Sequence, residues 1–290
     1  MYVRKNGHEY KQALDSLVQK LEVRRYSSST VTTYRYMFRE FLKYVYPMPL
    51  HKVSKDDILF FQQMLVKRGV SGSYQNQSIN ALKFYLEQVL GHDRELYELE
   101  RPVKERKLPT VLSQEEVSSV LAHINNLKHR AIIMTIYSCG LRISELLNLQ
   151  IRDIDSDRME IFIRGGKGKK DRLTLLSPHL LELLRVYFRA YRPSEYLFEG
   201  QKGGRYSSSS IRKILDRAIA RAGIRKHVVT HTLRHSFGTH LLENGTNLRY
   251  IQVLMGHESP KTTEIYTHVA QSDIHKIVSP LDHLADKGYI

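Results

Sequence analysis

The sequence predicts a mainly α-helical protein built as two units. Three observations lead there. From residue 8 to about residue 90, apolar side chains recur at helical spacing, and the runs are broken by proline, glycine and serine. The periodicity then lapses between Glu100 and Pro109, where Arg101, Lys104, Arg106 and Lys107 crowd a proline-bounded stretch that fits a linker. Beyond it the pattern is again helical, apart from one β-like pair between Met159 and Leu176. A length of 290 residues suits two domains, expected at 1–99 and 111–290 with the basic linker 100–110 between them.

In the first unit, Ala13, Leu14, Leu17 and Leu21 mark a helix over residues 8–24. Ser27 to Thr30 supplies caps for a second helix, with Tyr34, Met37, Phe38, Phe41, Leu42 and Val45 as its apolar stripe and Pro47 and Pro49 as its stop. A capping signal at Ser54 to Asp57 opens a third helix, ended by Gly69. A fourth runs from about Gln75 to Leu90, with Ile79, Leu82, Tyr85, Leu86 and Val89 inward.

The second unit opens with a capping box at Ser113 to Glu116. A buried helix from Ala131 to Cys139 is stopped by Gly140, and Arg142 heads the next, through Leu149. Met159–Arg164 and Arg172–Leu176 form a hairpin with the basic tip Gly165-Gly166-Lys167-Gly168-Lys169-Lys170-Asp171. Ser177-Pro178 caps a further helix, and Ile211 to Ala222 forms another, whose Arg212, Lys213, Arg217 and Arg221 face either phosphates or solvent. A helix from about Thr232 to Glu243 buries Leu233, Phe237 and Leu241; His231, Arg234 and Gly238 lie on an adjoining face. Asn247 caps a helix with Tyr250, Ile251 and Leu254 inward, ended by Gly256. The stretch from Thr262 to Ala270 is expected to be helical and carries Tyr266.

Composition narrows the function. Lys plus Arg number 45 against 30 Asp plus Glu, a net charge of +15, which points to a polyanionic partner, with nucleic acid first. A single cysteine, Cys139, excludes an internal disulfide framework and fits a cytoplasmic home. No apolar run approaches the roughly 18 residues of a membrane span. Met1 to Lys5 leads into charged residues without a secretory pattern.

Four residues suited to phosphodiester chemistry, an arginine, two histidines and a tyrosine, collect late in the chain. His231 and Arg234 stand three apart, His257 follows Gly256, and Tyr266 lies nine residues after His257. With 18 tyrosines in the chain, it is this spacing that singles out Tyr266. His231, His235 and His240 invite a metal, but H-E-x-x-H is missing and no acid or cysteine completes a ligand set. The glycine-rich tip lacks the spacing of a nucleotide-binding loop and sits between strands, not before a helix.

Taken together, G-L-R-I-S-E-L-L-N-L, G-K-G-K-K-D, H-T-L-R-H, L-M-G-H and the following tyrosine resemble, in order and spacing, the tyrosine recombinases, also called tyrosine-type integrases. The resemblance spans nearly the whole chain. It implies a SAM-like helical core-binding domain and a mostly helical catalytic domain with a small antiparallel sheet, together forming a C-shaped clamp. It assigns catalytic roles to Arg142, Lys167, His231, Arg234, His257 and Tyr266, with Lys169 and Lys170 as alternatives to Lys167. Tyr266 is the expected nucleophile of a 3′-phosphotyrosyl intermediate, formed without ATP or a metal ion. The implied partners are double-stranded DNA sites and a homotetramer, to which a terminal helix over 274–290 contributes by docking on a neighbouring protomer; packing on its own domain is the alternative. The chain's size favours the Xer-like or integron-integrase-like branch. Rival readings are a DNA-binding protein without strand chemistry, a metal-dependent nuclease, and a type IB topoisomerase, which shares the chemistry.

Overall fold

The computed structural model describes residues 2–93, 101–103, 108–165, 171–201, 203–257, 259–264 and 266–267. The chain divides into two compact units, 1–106 and 107–290, each with its own core.

The described regular elements of unit one are all helical, chiefly α1 (Tyr2–Val23), α2 (Ser28–Val45), α3 (Lys55–Lys67) and α4 (Gly72–Phe84). The expected caps form. The Ser27 hydroxyl accepts from the Thr30 N–H, and Ser54 and Asp57 close a reciprocal capping box. α4 runs on into one wider turn, Tyr85–Val89, with i→i+5 geometry, so the predicted single helix changes pitch near its end. Leu17, Leu21, Phe38, Phe41, Ile58, Phe61 and Leu82 meet in the core, where Phe38 packs on Tyr85 and Phe41 edge-on against Phe61.

Unit two carries α5 (Gln114–Ala122), α6 (Leu127–Ser138), α7 (Ile143–Asn148), α8 (Pro178–Tyr191), α9 (Ser208–Arg221), α10 (Thr230–Glu243), α11 (Leu248–Met255) and α12 (Pro260–Glu264). α6 packs on α8, α9 and α10 and forms the floor of the unit. Its Ala131, Ile132, Ile133 and Ile136 are fully buried, and so is Cys139, whose thiol burial pushes up to about 12. Cys139 is thus a small apolar residue of the core, as expected.

Three expectations need correction. The hairpin is one edge of a three-stranded antiparallel sheet: β1 (Ile154–Asp155) pairs with β2 (Glu160–Ile163), and β2 with β3 (Arg172–Leu175). Two residues show no alternation, so β1 carries no period to detect. Tyr250 does not face inward; it is 68% exposed, because α11 buries Ile251, Gln252 and Met255. The last helix runs Pro260–Glu264 and not from Thr262 onward, since proline fits the first turn of a helix, and Tyr266 and Thr267 lie in a turn beyond it, not on the helix. Residues 268–270 of that expected helix lie outside the described residues.

Candidate active site

The site grows from two chain reversals in unit two. α6 ends in a glycine motif: Gly140 adopts φ +58°, and the Leu141 N–H donates back to Ile136 O at 3.1 Å. A Cβ on Gly140 would lie 2.4 Å from the Phe237 ring, so only glycine fits between α6 and α10. The turn delivers Arg142 to the head of α7. There Glu145, at the third helical position, accepts from the Arg142 backbone N–H at 2.9 Å and from its guanidinium at 2.6 Å.

Glu145 is the hub. Arg172, the first residue of β3, donates to its other oxygen at 2.8 Å, and the Arg234 guanidinium stands 3.7 Å away. Glu145 and Arg234 are buried, with residue exposures of 5% and 1%. Burial alone would raise the Glu145 pKa. The Arg172 charge, with the hydrogen bonds from Arg142 and Arg172, more than reverses that, and the carboxyl titrates below its ordinary value. Burial followed by the Arg142 charge pushes Arg234 downward, opposed by Glu145; a guanidinium still stays cationic at neutral pH.

The same three guanidiniums grip the end of α11. Arg172 donates to Leu254 O, Arg234 to Met255 O, and Arg142 to Gly256 O at 3.3 Å. These are successive carbonyls at a helix C-terminus, where unpaired acceptors and the negative end of the helix dipole gather. Arg234 also donates to Gly140 O, tying the ends of α6 and α11 together. α11 closes in a Schellman motif: Gly256 has φ +60°, and the His257 N–H donates to Gln252 O at 3.1 Å. A Cβ on Gly256 would lie 2.6 Å from Arg172 Cδ.

That motif turns His257 into the site. Its Nδ1 shares a hydrogen bond of 2.9 Å with the buried Thr263 hydroxyl, and its ring stacks on Tyr266 at 6.2 Å. Tyr266 has no exposed surface and packs with Phe237, Ile251 and Met255. Its ring lies against Gly238, where a Cβ would sit 2.8 Å from Cε2 and Cζ. The close approach expected at Gly238 is therefore that of the tyrosine. Burial raises the Tyr266 phenol to about 12, although the Arg234 and Arg142 charges work the other way.

α10 contributes both Arg234 and the histidines. His240 belongs to the packing. Its Nε2 meets Leu112 O at 2.9 Å and its Nδ1 the Tyr137 hydroxyl at 2.8 Å, so both nitrogens have partners in the core. His231 lies on the exposed edge of α10 and meets His235 edge-to-face at 4.6 Å. His235 in turn reaches the Tyr266 hydroxyl through Nδ1 at 3.3 Å. Burial, followed by the charges of its neighbours, lowers all three ring pKa values: His231 in direction, His235 to about 4 and His257 to about 3.

The structure thus gathers Arg142 and Arg234 on one carboxylate, with His257 and Tyr266 near the two arginines and His231 beside them. Lys167, with Lys169 and Lys170, lies outside the described residues. Sequence reading missed Glu145, Arg172 and His235 as parts of the site. The available signals were an acid three residues after Arg142, an arginine opening an apolar strand, and a histidine one turn beyond His231.

The comparisons agree with this layout. The sequence matches the phage integrase family over residues 110–273 and the phage integrase N-terminal SAM-like domain over 14–96. It is 37% identical over 269 residues to the putative integrase/recombinase y4qK of Sinorhizobium fredii, covering 92% of this chain and 87% of that protein. It is 35% identical over 274 residues to the tyrosine recombinase XerA of Thermococcus kodakarensis, covering 92% and 94%. Among solved structures, XerH recombinase bound to its difH substrate superposes with a TM-score of 0.68 at 26% identity, over 85% of this chain and 78% of that one. A XerA recombinase crystal structure gives a TM-score of 0.54 at 28% identity, over 95% and 98%. With its fold, its arginine-histidine-tyrosine cluster and these matches all in accord, the chain belongs to the phage integrase family, the tyrosine recombinases.

Proposed function

We propose that this protein is a site-specific DNA recombinase that cuts and rejoins strands through Tyr266. The observation that carries the reading is the pair of guanidiniums, Arg142 and Arg234, fixed on Glu145 beside His257 and Tyr266. Attack on a phosphodiester builds negative charge on the non-bridging oxygens, and preorganised guanidinium forks meet that charge with paired hydrogen bonds. Tyr266 is the nucleophile and forms the 3′-phosphotyrosyl link. His231, neutral and at the open edge, serves as general base for the phenol. His257 donates a hydrogen bond to the phosphate, and Lys167 protonates the departing 5′ oxygen. The phosphotyrosyl bond keeps the energy of the broken linkage, so a second strand's 5′ hydroxyl reverses the step without ATP or a metal ion.

In this reading residues 1–99 are the core-binding domain, 100–110 the basic linker and 111–290 the catalytic domain. Exchange between two duplexes involves four strands and one tyrosine for each, so the working assembly is a homotetramer on double-stranded DNA, held through the helix expected at 274–290. That segment lies outside the described residues. Among the described residues no helix is long and apolar enough to cross a membrane, and we place the protein in the cytoplasm, where its DNA substrate lies.

The test is a duplex carrying a site chosen by searching the DNA that flanks the gene for inverted repeats about a short spacer, nicked near the cleavage point so that religation fails. The wild-type protein accumulates a covalent adduct on it; Tyr266→Phe binds equally and forms none. Adducts persisting in Tyr266→Phe exclude Tyr266 as nucleophile. Binding without any adduct in the wild type returns the reading to a DNA-binding protein without strand chemistry.

A further inference from the structure

In-line attack requires the nucleophilic oxygen within about 3.5 Å of phosphorus. The Tyr266 side chain has no exposed surface, so its phenol cannot meet a phosphate in the described conformation. Something holds it there, and most of what surrounds it is apolar and without direction. Gly238 offers a flat face, Met255 and Ile251 fill the sides, and His257 stacks on the ring. The Tyr266 hydroxyl has one directional partner among the described residues, the Nδ1 of His235 at 3.3 Å.

We propose that His235 is a positioning residue for strand cleavage: through Nδ1 it holds the Tyr266 hydroxyl in the DNA-free protein and sets the point from which the phenol is released toward the phosphate. The proposal rests on the reading of Tyr266 as nucleophile. His231 and His235 are one helical turn apart on α10 and so share a face. They divide that face between them. His231 is exposed and has no hydrogen bond among the described residues; its contact is the edge of the His235 ring. His235 is half-buried and turned to the phenol. The phenol keeps its proton and the imidazole stays neutral, since burial raises one pKa to about 12 and lowers the other to about 4. The hydroxyl then donates to Nδ1, with the ring proton on Nε2. This contact restrains the phenol without ionising it, and leaves the exposed His231 free for the DNA side.

Nitration of the DNA-free full-length protein with tetranitromethane, mapped by peptide mass spectrometry, tests the contact directly. Tyr266 is protected in the wild type, and Tyr187, also fully buried, reports global unfolding in the same sample. His235→Ala is expected to raise Tyr266 nitration by roughly five- to tenfold, as when one hydrogen bond no longer opposes exposure, with Tyr187 unchanged. Where His235→Ala also exposes Tyr187, the comparison passes to two amides. Asn places its amide where Nδ1 stands and Gln places it nearer Nε2, so His235→Asn should restore protection and His235→Gln should not. Equal Tyr266 nitration in wild type, Ala, Asn and Gln variants overturns the proposal. The nicked duplex runs in parallel: a wild type that forms no adduct refutes the recombinase reading, while the nitration series still decides whether His235 holds the phenol.

Discussion

Glu145→Gln is the substitution whose consequence the structure fixes most tightly. The carboxylate meets Arg142 at 2.6 Å and Arg172 at 2.8 Å, with Arg234 at 3.7 Å. The side chains of Glu145, Arg172 and Arg234 are 2%, 7% and 1% exposed, so water screens little of the repulsion among the guanidiniums once the carboxylate is gone. Removing one partner of a buried ion pair while leaving the other costs about 3–5 kcal/mol. Here three cations lose a shared counter-charge, and the amide's N–H group turns toward a donor. For a domain of this size that is roughly 6–20 °C in Tm, and about a fifth or more of a typical folding free energy of about 5–15 kcal/mol. Urea unfolding followed by circular dichroism measures it. A Glu145→Gln midpoint within about 0.5 kcal/mol of wild type at unchanged m would refute the hub. It would mean that the arginines are held by the α6 and α11 carbonyls alone.

Three further outcomes follow from the same geometry. Gly238→Ala should destabilise by about 1–3 kcal/mol in urea, although the exchange favours an ordinary helix, because the new methyl meets the Tyr266 ring and Met255 Sδ at 2.8 Å. Stability should be flat near neutrality and fall in acid. His235 and His257 titrate near 4 and 3 when folded but near 6.5 when unfolded, and Glu145 is likewise depressed, so the unfolded chain binds more protons as pH drops below about 6.5. Above pH 10 the sign reverses: Tyr266, raised to about 12, is protonated only in the folded state, and stability declines as pH rises toward that value. A urea midpoint that rises on acidification would contradict the assignment of the two rings as neutral. DNA affinity should drop steeply with salt, by roughly three orders of magnitude between 50 and 200 mM if about six phosphates are neutralised, a titration readable by fluorescence anisotropy.

Much of the fold was legible because helices announce themselves locally. Ser27, Ser54, Ser113, Ser177 and Asn247 each cap the helix that their position in the chain predicts. Arg142, His231, Arg234, His257 and Tyr266 were legible through their order along the chain, a resemblance and not a distance. What stayed hidden is what only packing creates. Glu145 reads as an ordinary acid in the first turn of a helix, and nothing local shows that Arg172 and Arg234 converge on it. Arg172 keeps the polar-apolar alternation of its strand, as a solvent-facing arginine would, while the structure buries the side of Thr174 and exposes Leu173 and Leu175. His235 was weighed only as a metal ligand, because its partner lies 31 residues on, across a reversal of the chain. Tyr250 was misplaced because the apolar residues of a helix of eight leave its phase loosely defined.

The arginine cluster raises a question of supply. A guanidinium carries five N–H donors. Arg234 spends two on Gly140 O and Met255 O, with Glu145 beyond hydrogen-bond range at 3.7 Å, so it keeps donors without a hydrogen-bond partner among the described residues. Arg142 spends its own on Glu145 and Gly256 O and keeps a side chain 19% exposed. In the proposed reading Arg142, the more exposed of the two, can serve an incoming phosphate without releasing the fold, whereas Arg234, with a side chain 1% exposed, reaches one only when the site opens. Arg172 is differently placed: its Nε is buried without a partner, and Leu254 O and Glu145 take up its terminal nitrogens. Its role is to hold, and the chain reversal at Gly256 that it holds leads directly to His257 and Tyr266. In the recombinase reading proposed above, phosphate binding and the placement of Tyr266 are thus coupled through the end of α11. A loss at Arg172 should loosen the tyrosine without removing a phosphate ligand.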